Sequence, residues 1–127
     1  MVAESLNDGV RIAQLLASEL TGRQVGAFAE VSVENSVQDV EPTADGVRAY
    51  DVHHGGERVA RVFVQPERAR VEFETGLDAA REAAAERGMR TRPVAAEPPR
   101  LVVFVTDAAE VKRVVDAFDA ALAGESE

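Results

Sequence analysis

Asp51-Val52-His53-His54 holds the two histidines of the chain beside a carboxylate. Imidazole nitrogens and a carboxylate oxygen suit several divalent metals. Neighbouring residues of a strand point to opposite sides, however, and Gly55-Gly56 makes a tight turn that accounts for exposed histidines, so no metal ligand is assigned. His53-His54-Gly55-Gly56 lacks the Lys-Ser/Thr of a phosphate loop and precedes a strand rather than a helix. Ser5, Ser32 and Ser36 have no nucleophile-elbow surroundings. The chain carries 23 Asp and Glu, but an acidic surface explains them without general acid–base catalysis. No catalytic residue and no cofactor follow from these letters.

Arginine offers a more specific pattern. A hairpin closed at Gly55-Gly56 sets Val52 against Val59, Tyr50 against Arg61 and Arg48 against Phe63. A second turn at Pro66-Glu67 sets Phe63 against Arg70, Arg61 against Glu72 and Val59 against Glu74. One side of this ribbon then carries Val47, Ala49, Ala60, Val62, Val64, Ala69, Val71 and Phe73, with Asp51 as its discordant member. The other side presents Arg48, Tyr50, Val52, Val59, Arg61, Phe63, Arg70 and Glu72. Of these, Arg48, Tyr50, Arg61, Phe63 and Arg70 form a candidate binding surface. Such residues can stack a base, hold a phosphate or receive an acidic protein segment. An ordinary reading stands beside it: an Arg61–Glu72 ion pair and arginine stems covering Phe63.

A second basic stretch runs from Arg87 to Arg100, where Arg87, Arg90, Arg92 and Arg100 oppose only Glu97. These four arginines are the candidate anion-binding residues. They can equally neutralise nearby carboxylates or the C-terminal carbonyls of a helix.

The elements that must position these groups follow from periodicity. Ile12, Leu15, Leu16 and Leu20 predict a helix over about 6–20, with Ser5 and Asp8 as a shortened capping box and Gly22 near its end. Ala29, Val31 and Val33 predict a half-buried strand, ended by the turn-forming Glu41 to Gly46. After the ribbon, Thr75 and Asp78 open a helix with Leu77, Ala80, Ala83 and Ala84 on its contact side, stopping at Gly88. Residues 89–99, with Pro93, Pro98 and Pro99, read as a flexible connector. Leu101 to Val105 is continuously apolar and predicts an inner strand covered on both sides. Asp107 and Glu110 open a last helix to about Ala123, whose stripe is Val111, Val114, Val115, Phe118 and Leu122. The expectation is one α+β domain over 1–127, with three helices on a mixed, mainly antiparallel five-stranded sheet, in the order α-β-β-β-β-α-β-α.

A chain of 127 residues holds one core, and none of its segments reaches the length of a membrane span. Met1-Val2-Ala3-Glu4 leads into polar sequence rather than a signal segment, and there is no cysteine, which together suit the cytoplasm. The net charge of -9 disfavours nonspecific contact with membranes and nucleic acid. Thirteen arginines against the single Lys112, with abundant acids, resemble the composition of haloarchaeal proteins; an acidic protein from a GC-rich genome has similar arithmetic. The leading functional expectation is a noncatalytic protein-binding or assembly module, with homodimerisation allowed by its sheet edges. A nucleic-acid-associated regulatory domain is the alternative, and a small-molecule enzyme the third reading.

Overall fold

Asp8 starts the first helix: its carboxylate accepts hydrogen bonds from the Val10 and Arg11 amides, at 2.9 and 3.3 Å, satisfying donors that the first turn leaves free. The computed structural model describes residues 8–24 and 26–125. Ser5 and the expected first residues of this helix lie outside them. Helix α1 spans Gly9–Arg23 and ends where Gln24 turns left-handed, so Gly22 lies inside the helix and does not stop it. Ile12, Leu16 and Leu20 are buried, while Leu15 is 41% exposed.

A 3-10 turn, Gly26–Glu30, takes up Ala29 and delays the first strand to β1, Val31–Glu34. Then come β2 (Val47–His54), β3 (Glu57–Val64) and β4 (Ala69–Phe73), helix α2 (Leu77–Glu86), β5 (Thr91–Val94), β6 (Arg100–Val105) and α3 (Ala108–Glu125). The class is α+β, as periodicity predicts. The sheet differs in two respects: among the described residues it has six strands in the order β1-β2-β3-β4-β6-β5, and each of their pairings is antiparallel. The sixth strand, β5, arises within the stretch read as a flexible connector. Pro93 is tolerated there because β5 is an edge, where a missing N–H costs no ladder bond to an outer neighbour.

Helix α2 is not capped by Thr75. Its N-cap is Gly76, in a left-handed conformation and without a side-chain cap. Asp107 does cap α3, accepting from the Glu110 amide at 2.9 Å, while the Glu110 carboxylate reaches back to the Thr106 amide and hydroxyl.

The helices share one side of the sheet. The Tyr50 hydroxyl reaches α1, and the Phe73 and Phe118 rings meet at 4.7 Å between β4 and α3. On that side Ala60, Val62, Val64, Ala69, Val71, Phe73, Val103 and Val105 are buried. Strand β4 alternates buried and half-buried residues, the pattern of a sheet covered once. Strand β6 is therefore covered by helices on one side only, and its apolar run has a different explanation. Val102 is buried among charged neighbours and Phe104 lies under an arginine. Among the described residues no helix is long and apolar enough to cross a membrane.

Candidate functional site

The helix-free side of the sheet is shaped by two bulges in the β2–β3 hairpin. Arg48 pairs with Phe63, as the turn geometry predicts, but Tyr50 pairs with Val62, leaving Ala49 as an extra residue on β2. Val52 then pairs with Ala60 and His53 with Arg58, leaving Val59 as an extra residue on β3. The second bulge restores the register that the first one shifts. Relative to a regular ribbon, inward and outward positions are exchanged on β2 beyond Ala49 and on β3 before Val59.

This exchange corrects the proposed surface. Tyr50 leaves it: the ring is buried and the hydroxyl donates to the Ala13 carbonyl at 2.7 Å. Val52 and Val59 are buried as well. Asp51, discordant in an unbulged strand, pairs with Arg61 on the helix-free side. The physical reason is the cost of pressing an ionised carboxylate into an apolar layer while two apolar residues and a ring face water.

Arg58 is the residue that alternation hides. Three positions from Arg61, it should point the opposite way in a regular strand, but the bulge at Val59 turns both outward. Each guanidinium donates through Nε to Glu74 at 2.9 Å. The Glu74 bond also raises the pKa of Arg58, keeping it a fixed cation.

The remaining partners follow the strand order. Arg70 donates to Glu72 at 3.0 Å and lies over the Phe63 ring at 4.5 Å. Arg48 approaches Asp51 at 3.5 Å, and Asn35 donates to the same carboxylate at 2.9 Å. Phe63–Arg70 and Arg61–Glu72 are cross-strand neighbours as predicted, yet Arg61 forms its ion pair with Glu74 rather than Glu72.

The second arginine group divides. Arg92, on β5, and Arg100, on β6, extend the same side of the sheet, facing Val102 and Val94 in register. Arg100 Nε is buried without a hydrogen-bond acceptor and sits 3.5 Å from Glu72. Arg87 does not join them: at the end of α2 it donates to Asp116 of α3 at 2.9 Å, tying two helices. Arg90 is exposed just before β5. Arg68, which sequence spacing did not single out, lies over Phe104 at 4.2 Å, with Nε donating to Gln65 at 2.8 Å.

His53 and His54 occupy opposite sides of β2, and the described residues contain no metal-ready group of three His, Asp or Glu. The chain matches a family of unknown function, DUF7993, over residues 1–127, and it belongs to that family. No curated protein and no solved structure matches it.

Proposed function

We propose that this DUF7993 member is a noncatalytic binding module that receives an acidic protein segment on its helix-free sheet side. The observation that carries the reading is local charge inversion. On a chain of net charge -9, this side gathers Arg48, Arg58, Arg61, Arg70, Arg92 and Arg100 against Glu34, Asp51, Glu72 and Glu74. Guanidinia bind carboxylates through two parallel hydrogen bonds, and such complementarity sets both encounter rate and orientation. The acidic remainder of the molecule repels a long polyanion, whereas a short acidic segment meets only the basic strip.

The test is an NMR titration of the isotopically labelled chain with an Asp/Glu-rich peptide and, separately, a single-stranded oligonucleotide. Peptide-induced shifts on β3, β4 and β6 support the reading. Shifts confined to the helices, or none at all, reject it. Preferential binding of the oligonucleotide supports the regulatory nucleic-acid role instead.

A further inference from the structure

We propose that the anchor of this binding side is the groove at its β4–β6–β5 end, and that the groove takes an acidic side chain of the partner segment together with an apolar neighbour. The inference rests on the protein-binding reading above and locates its specificity. Elsewhere on the sheet the arginines are matched locally: Arg58 and Arg61 share Glu74, and Arg48 faces Asp51. At the groove the balance changes. Arg70 and Arg100 already share Glu72, while Arg68 and Arg92 have no carboxylate partner among the described residues. The exposed Asp45 is the one further acid lining the groove among the described residues.

The cavity measures about 380 Å³ and is lined by Val94, Val102 and Phe104 together with Arg68, Arg70 and Arg92, with Arg68 over the Phe104 ring. That volume lies near the low end of ligand sites, which run from about 300 to 1,000 Å³, and suits side chains better than a large cofactor. Two of its cations are held in advance. Arg68 is fixed by Gln65 and the Phe104 ring, and Arg70 by Glu72, Phe63 and the Asp45 carbonyl at 2.7 Å. A partner carboxylate therefore meets donors whose ordering cost is already met within the fold. The apolar lining adds contact that salt does not screen, whereas ion pairing weakens as the screening length falls to about 3 Å at 1 M.

The experiment measures fluorescence anisotropy of labelled short peptides with the full chain: alternating Glu/Leu, alternating Glu/Ser of equal charge, and Gln/Leu. The Glu/Leu peptide is expected to bind about tenfold more tightly than either control, because it alone supplies both the charge and the apolar contact. Arg68→Gln with Arg92→Gln is expected to weaken it about tenfold, and Arg58→Gln with Arg61→Gln less than about threefold, since Glu74 already neutralises the latter pair. Should the first double variant fail to fold, Arg92→Gln alone, at an exposed position, carries the same expectation in the same direction. Equal Glu/Leu and Glu/Ser affinity, or a greater loss at Arg58 and Arg61, overturns the groove as anchor while leaving the wider sheet reading intact. Failure of every acidic peptide to bind the folded chain overturns the wider reading and the groove with it.

Discussion

The Tyr50 hydroxyl donates a 2.7 Å hydrogen bond to the Ala13 carbonyl, joining the bulged strand β2 to helix α1. The contact exists because the extra residue Ala49 turns Tyr50 inward, opposite Val62. It has a consequence for alkaline stability. Burial pushes the Tyr50 hydroxyl well above its usual pKa, so the folded chain keeps its proton where the unfolded chain releases it. The stabilisation is complete below the unfolded value of about 10 and is lost progressively as pH rises beyond it, with a slope approaching about 1.4 kcal/mol per pH unit. Tyr50 is the only tyrosine and there is no tryptophan, so tyrosinate absorbance near 295 nm reports it directly. Absorbance and circular dichroism should change together in a pH titration; ionisation ahead of unfolding would contradict the burial argument. Tyr50→Phe should cost about 1 kcal/mol at neutral pH and flatten the alkaline slope.

Two glycines separate backbone strain from steric conflict. Gly76 has a φ of 60° and a side chain there would collide with the Ala121 carbonyl of α3; Gly88 has a φ of 72° with open space around it. Gly88→Ala should lose about 1 kcal/mol from the left-handed backbone alone. Gly76→Ala should lose about 2–4 kcal/mol, because overpacking adds to the same backbone term. Urea unfolding midpoints of the two variants test the ranking, and equal losses would refute the collision.

Glu74 restrains two cations at once, so its removal should affect stability and binding in opposite directions. Glu74 is only 13% exposed although Arg58 is 43% and Arg61 31% exposed, so the Glu74→Gln penalty should be about 1–2 kcal/mol and shrink in molar salt. The same variant should bind a Glu-rich peptide more tightly, by about threefold, since Arg58 and Arg61 lose their internal competitor. Paired thermal melts and anisotropy titrations check both signs. Weaker peptide binding would mean that Glu74 positions the arginines rather than competes for them.

Arg87 and Arg92 provide a paired comparison within one sequence cluster. Arg87 bridges to Asp116 between α2 and α3, whereas Arg92 stands on the sheet. Arg87→Gln should lower the melting temperature slightly and leave acidic-peptide affinity unchanged. Arg92→Gln should do the reverse, weakening the peptide about three- to tenfold with little effect on melting. Equivalent binding losses at both positions would restore the arginine stretch as one continuous anion site.

Local pattern determined much of this architecture. Alternation placed Ala60, Val62, Val64, Ala69, Val71 and Phe73 in the core, and the turn at Pro66-Glu67 set Phe63 against Arg70 and Arg61 against Glu72. These features need only the period of a strand and the length of a turn. The one visible sign of irregularity was Asp51 on the apolar side of an otherwise regular ribbon. A bulge resolves it, but where the extra residue falls depends on how Tyr50, Val52 and Val59 pack beneath α1 and along β3, which no neighbouring letters encode. Strand β5 has the same origin: Pro93 interrupts the strand propensity of Thr91 and Val94, and the four residues are held by pairing with β6. Thus composition and period determined the class, the core and part of the arginine strip. Tertiary packing decided which residues face out together, because a single inserted residue reverses strand parity, and here it turns the buried Asp51 toward Asn35, Arg48 and Arg61 while Tyr50 enters the core.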